Sequence, residues 1–152
     1  MGEKETIKKP RIVLDTNCIV SALLFSKGSA RWLADAWTQH RYIPLVSRET
    51  ITELMRVLSY PKFQLNQNEQ EIILADFLPY AEVVHGEKVT CKLPEIKDPN
   101  DLMLLTLAVA GKADALVSGD VHILAVKSQL GRICVLTVNE FAAWLKEYNK
   151  SP

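Results

Sequence analysis

The chain carries no net charge, few cysteines and no long apolar run. Its 152 residues hold 18 basic and 18 acidic side chains, three cysteines, seven prolines and six glycines, with 7% aromatics. The balanced charge removes the basic excess that non-specific nucleic-acid binders usually display. It leaves open a local gathering of acids with basic residues around its rim. Cys18, Cys91 and Cys134 are odd in number and widely spaced, with no C-x-x-C pair. They therefore make neither a disulfide framework nor a zinc site, and the simplest setting is reducing and cytoplasmic. The longest apolar-rich run, Leu102 to Ala110, is far below the roughly 18 residues of a membrane helix, so no membrane association is expected. The opening MGEKETIKKP lacks the apolar stretch of a secretory signal. Gly2 and Thr6 fit the loose myristoylation pattern, but a single acyl chain anchors only marginally.

What is present is a globular composition, 48% hydrophobic and 24% charged. At this length it predicts one domain able to bury its own core. A tail over 1–10 leads into a single domain over 11–148. Arg11 to Asp15 is a short β-rich run, and Thr16 to Phe25 reads as a helix broken at Ser26-Lys-Gly-Ser29. Ser29 is placed to cap a second helix from Ala30 to about Arg41. Tyr42 to Val46 reads as a second strand whose Pro44 suggests a strand start or an exposed side. Ser47 to Tyr60 is helical up to Pro61, with Ile51, Leu54, Met55 and Leu58 as its buried stripe. Asn66 to Tyr80 reads as a helix with Ile72, Ile73 and Phe77 inward, and Ala81 to Val84 as a short third strand. A polar loop over 85–97 precedes a strong helix, Asp98 to Gly111, with Leu102, Leu105, Ala108 and Val109 inward and Gly111 ending it. Ala113 to Ser118 is a fourth strand, a short helix starts at Val121, and Arg132 to Leu136 is a fifth strand. Thr137 and Glu140 form a capping box for the last helix, Phe141 to Tyr148. Strands alternating with helices imply a three-layer α/β/α domain around a largely parallel sheet.

Five acids fall at special places in this layout. Asp15 ends the first strand, Glu53 lies one turn into the helix after the second, Asp98 and Asp101 bracket the start of the strong helix, and Asp120 follows the fourth strand. Open α/β sheets bind ligands beyond the carboxyl ends of their strands. The acids share one crevice if the strands carrying Asp15 and Asp120 are neighbours. Gathered carboxylates repel unless a cation joins them, and hard ions such as Mg2+ or Mn2+ suit oxygen ligands. The same residues have structural readings. Asp98 and Asp120 can cap helices, and Glu53 can pair with Arg56 or Arg48. Asp15 directly after Ile-Val-Leu, with no counter-charge beside it, is the hardest to explain as structure alone.

Val13-Leu-Asp15-Thr-Asn17, Glu49-Thr-Ile-Thr-Glu53-Leu, Lys97-Asp98-Pro-Asn-Asp101-Leu and Val117-Ser-Gly-Asp120 occur in an order and at element boundaries that resemble the PIN-domain ribonucleases, in particular the VapC-like toxins of toxin–antitoxin pairs. The resemblance spans Arg11 to Leu136. It implies a five-stranded parallel sheet of order 3-2-1-4-5 and a Mg2+- or Mn2+-dependent endonuclease acting on single-stranded RNA. Carried over by position, Asp15, Glu53, Asp101 and Asp120 are the catalytic, metal-holding acids, with Asn17, Asp98 and Ser118 in support. An antitoxin partner and a homodimer are implied as well. Arg31, Arg48, Arg56, Lys62 and Lys97 are candidates for a basic rim along the RNA backbone. Trp32 and Trp37 have the spacing of a core-facing helix, with base stacking as the other reading. Cys18, beside the site, reads as a buried thiol rather than a nucleophile. Two other functions stand against this one. A haloacid-dehalogenase-type phosphohydrolase also opens on a strand ending in Asp, but it needs a second Asp where Asn17 stands. A PIN scaffold acting mainly as an RNA- or protein-binding module is the other alternative.

Overall fold

Short apolar strands alternating with longer helices give the element order in the structure, a computed structural model that describes residues 8–85 and 93–150. The elements are β1 (Arg11–Leu14), α1 (Thr16–Leu24), α2 (Arg31–Thr38), β2 (Ile43–Val46), α3 (Arg48–Leu58), α4 (Gln67–Leu74), β3 (Glu82–Val83), α5 (Pro99–Ala110), β4 (Ala115–Val117), α6 (Val121–Ala125), β5 (Cys134–Leu136) and α7 (Val138–Lys150). The five strands pair in parallel in the order β3-β2-β1-β4-β5. β1 therefore has β2 on one side and β4 on the other, and the turns after β1 and β4 are neighbours. Gly2, Thr6 and Cys91 lie outside the described residues.

The sheet separates two cores. Ile12 and Leu14 of β1 face a core built with α1, α2, α3 and α7, while Val13 faces one built with α5 and α6. Both faces of β1 are covered, so its central residues are wholly apolar, as parallel strands require. Trp37 is completely buried, edge-on to Phe77 at 4.8 Å, and its indole N–H donates to the Asp76 carbonyl. Trp32 is half-buried and lies 5.5 Å from Phe141. Both tryptophans are thus packed side chains. Among the described residues no helix is long and apolar enough to cross a membrane.

Several local expectations are corrected. The cap of α2 is Ala30, with no side-chain bond; the turn closes through backbone, Arg31 N–H donating to the Gly28 carbonyl, so Ser29 is not needed there. Pro44 is buried and sits second in an interior strand, opposite Ile12. The N–H it lacks would point toward β3, which begins only opposite Leu45, so no ladder bond is lost. In α3 the inner face holds Leu54, Val57 and Leu58, leaving Met55 half exposed. α4 stops at Leu74, and a separate short turn follows; Leu74 and Phe77 point inward while Ile72 is exposed. In α5, Asp101, Leu104, Leu105, Leu107 and Ala108 are buried and Leu102 is exposed. Gly111 ends α5 in right-handed geometry, φ −86°, and Lys112 takes the left-handed step at φ 52°. What position 111 demands is room, because a Cβ there would lie 2.9 Å from Leu45 Cδ1 and 3.0 Å from Val84 Cγ2. α7 begins three residues before Phe141, directly on the capping box of Thr137 and Glu140.

Candidate active site

The carboxyl ends of β1 and β4 place Asp15 and Asp120 in adjacent turns. Asp15 continues the ladder, its N–H donating to the Val117 carbonyl at 2.9 Å, and its side chain caps α1 by accepting the Asn17 N–H. The other Asp15 oxygen accepts from the Ser118 hydroxyl at 2.7 Å. Ser118 is completely buried, and its Oγ also accepts the Asp120 N–H at 3.0 Å. One hydroxyl therefore fixes the carboxylate of one turn and the backbone of the next. Asp120 in turn caps α6 through the His122 N–H at 2.7 Å, and Asp98 caps α5 through the Asn100 N–H at 2.8 Å. Each of these caps uses one oxygen of a carboxylate that has two.

Asp101 differs from its neighbours. It lies in the first turn of α5, where a negative charge suits the helix dipole, yet the residue is only 4% exposed. Its Oδ2 is buried and has no hydrogen-bond partner among the described residues. Burial first, and then the charges of Asp120, Asp98 and Asp15, push its carboxyl up to about 6; His122 pulls weakly the other way. The charges of Asp15 and Asp120 thus reach Asp101 across turns that are distant in sequence. Among the described residues none of the four joins an ion pair with Lys or Arg. A cluster left in this state has the chemistry of a cation site, since an ion would satisfy the orphan oxygen and relieve the repulsion. The side chains do not form a closed cage: among the described residues no three His, Cys, Asp or Glu groups converge as a ready ligand set. Hard ions that keep several waters need only one or two protein carboxylates.

Glu53 stands apart from this cluster. Its two oxygens accept from Arg56 Nε and Nη2 at 2.8 and 2.7 Å, the pairing foreseen as its structural reading. The hydrogen bond to Glu53 holds the Arg56 guanidinium firmly protonated. The other cations of the expected rim are spread out. Arg31 donates to the Ala22 carbonyl and approaches Asp35 at 3.7 Å, Lys62 lies over the Phe63 ring, and Arg48 and Lys97 are exposed. Asn17 is exposed at the mouth.

A cleft of about 560 Å3 opens beside the acids, lined by Asp15, Asn17 and Asp120 and also by Phe25, Ser29 and Val138. The second part of this lining was not foreseen. It comes from the turn between α1 and α2 and the start of α7, whose residues carry no chemistry-bearing pattern. Only the exposure of an apolar Phe25 after a helix could have marked it. Cys18 borders the cleft, but burial, then the Asp15 charge, pushes its thiol up to about 12, so it stays protonated and is no nucleophile.

A parallel sheet of order 3-2-1-4-5 with acids gathered at its carboxyl edge defines the class as a PIN-like α/β protein. The sequence profile described as PIN domain matches residues 11–122, and the chain belongs to that family. No curated protein sequence matches it. Among solved structures it is similar to a chain in the crystal structure of VapBC2 from Rickettsia felis bound to a DNA fragment from their promoter. That match has a TM-score of 0.59 and 17% identity, covering 84% of this chain and 98% of the other. At that identity the likeness speaks for the fold.

Proposed function

We propose that this protein is a metal-dependent endoribonuclease that cuts phosphodiesters of single-stranded RNA, and that it is the toxin half of a toxin–antitoxin pair. The observation that carries the reading is the buried oxygen of Asp101, without a hydrogen-bond partner among the described residues, in a carboxyl on which the charges of Asp120, Asp98 and Asp15 act. Membership of the PIN family supports the nuclease reading, and the resemblance to a VapBC2 chain supports an antitoxin partner.

Asp15, Asp101 and Asp120, with Glu53 brought in, would hold Mg2+ or Mn2+ through carboxylate oxygens. Such an ion supplies an activated water and neutralises charge developing on the phosphoryl oxygens. The chain's own contribution is positional. Ser118 orients the Asp15 carboxylate and ties down the Asp120 turn, Asp98 starts α5 so that Asp101 points inward, and Asn17 reaches the mouth of the cleft. Exposed Phe25 and Val121, next to these turns, offer apolar surface for the antitoxin or for a second copy in a homodimer.

The test is cleavage of a mixed panel of labelled single-stranded RNAs with Mn2+ or Mg2+, with EDTA and the Asp15→Asn protein as controls. Metal-dependent cutting that disappears in the variant supports the assignment. Cutting that survives the variant, or a wild type that binds these RNAs tightly and leaves them intact, contradicts it; the latter outcome favours the binding-module alternative.

A further inference from the structure

Phe25, directly after α1, is the exposed aromatic among the described residues, with 51% of its surface accessible. Every other Phe, Tyr and Trp lies against a neighbouring ring or a cation, whereas the Phe25 ring has neither among the described residues. It also joins neither of the two cores. Its backbone is nevertheless fixed. The Phe25 N–H donates to the Ser21 carbonyl at 3.2 Å, and its own carbonyl accepts the Gly28 N–H at 2.9 Å. Gly28 keeps that turn tight, because a Cβ there would lie 3.2 Å from Phe25 Cβ. An isolated exposed apolar residue is ordinary by itself. This one lines the same cleft as Asp15, Asn17 and Asp120. Gly119, next to Asp120, lines it too, and nothing lies within 4 Å of where its Cβ would stand. The cleft therefore brings carboxylates, open backbone and one aromatic face together in about 560 Å3, room enough for a nucleotide.

We propose that Phe25 forms a nucleobase subsite: its ring stacks on an unpaired base of the RNA strand whose phosphate lies at the acids. This rests on the ribonuclease reading given above and adds to it the group that holds the substrate's base. Carboxylates repel a phosphodiester, so the strand needs an attraction that its backbone does not supply. A base offers a flat π-face, and stacking on an aromatic side chain holds single strands with little regard to sequence. Bases inside a duplex are stacked and paired already, so such a subsite selects single-stranded RNA. Trp32 and Trp37 do not compete for this role, since Trp37 is fully buried and Trp32 lies against Phe141.

Binding can be read without turnover, by fluorescence anisotropy with Ca2+ in place of Mg2+ and gels to check that the strands stay intact. The probes are short single-stranded RNAs of mixed sequence and an abasic ribose–phosphate chain of the same length. Wild type should bind the RNAs more tightly than the abasic chain. Phe25→Ala and Phe25→Leu should each lose about five- to a hundredfold on RNA, the scale of one base–aromatic stack, and nothing on the abasic chain. Phe25→Trp should bind RNA at least as tightly as wild type. All three variants should fold, because the side chain lies outside both cores. Equal losses on RNA and abasic chain overturn the subsite and make Phe25 a residue that only shapes the cleft. Full RNA affinity in Phe25→Leu or Phe25→Ala also overturns it; a changed mass in solution would then assign Phe25 to a protein interface. If the wild type still cuts RNA with Mn2+, such results leave the nuclease reading standing. If it neither binds nor cuts any RNA, the subsite and the nuclease reading fail together.

Discussion

The two ends of the sheet treat charge in opposite ways. At the amino end, Arg11 donates from Nη1 and Nη2 to both oxygens of Glu82, at 2.9 and 2.8 Å, and from Nε to the Gly111 carbonyl, while its backbone N–H donates to Asp114. Arg11 is raised and Glu82 lowered by their shared hydrogen bonds, so each stabilises the other's charged form. That end fastens β1, β3 and the turn after α5 to one another. At the carboxyl end, the charges of Asp120, Asp98 and Asp15 act on buried Asp101, and among the described residues none of the four has an ion-pair partner and one Asp101 oxygen has no hydrogen-bond partner. One end satisfies its charges and contributes stability. The other holds like charges around a buried carboxyl, the pattern that marks a candidate ligand site.

Substitutions at the two ends should therefore differ in kind. The largest effect is expected for Asp15→Asn, with RNA cleavage falling about a thousandfold or more while the thermal midpoint changes little, measured by initial rates and calorimetry side by side. Next, Ser118→Ala removes the hydroxyl that serves both acid turns; cleavage should fall roughly tenfold and stability by about 1 kcal/mol, read by kinetics and urea unfolding. At the amino end, Gly111→Ala forces a methyl against Leu45 and Val84 and should cost about 1–3 kcal/mol in urea unfolding, with kcat intact. Arg11→Met should lose only about 1 kcal/mol, again with kcat unchanged, since the pair it breaks is partly exposed. A loss of cleavage from either amino-end change, out of proportion to stability, would break the comparison.

The ends also differ in their response to pH. Asp101 is raised from 3.8 to about 6, so the folded protein holds that proton more tightly than the unfolded chain. The stability it confers is complete below about pH 4 and is lost as pH rises through about 6. The metal-free protein should thus lose roughly 1–2 kcal/mol from this group between pH 4 and 7, after allowance for solvent near the site. Asp101→Asn should flatten that part of the profile.

How much of this was legible in the sequence follows the same physics. Asp15, Asp98 and Asp120 stand at the junctions of apolar strands or loops with helices, so their positions could be read from local pattern. The parallel sheet followed from the alternation of elements, and its order from the resemblance. The inner faces of α3, α4 and α5 were less legible. Met55, Ile72 and Leu102 fit a helical apolar stripe but stand exposed, because the tilt of a helix on a sheet decides which neighbour points inward. Glu53 shows the sharper difficulty. Sequence offered two partners for it, a distant metal cluster and a nearby arginine, and in the structure both its oxygens accept from the arginine. The cleft lining from Phe25 to Ser29 has no signature because its residues form no motif.

The most direct test of like charges around a buried carboxyl as the mark of a cation site is thermal unfolding at pH 7.5 of the wild type and Asp101→Asn, each with and without Mn2+. Without metal, Asp101→Asn should melt above the wild type, since a buried like-charged neighbour has been neutralised. With Mn2+ the wild type should rise and overtake the variant, which should respond little. If Asp101→Asn melts lower without metal, or Mn2+ raises both proteins equally, the carboxylates at this end are structural caps and the account is wrong.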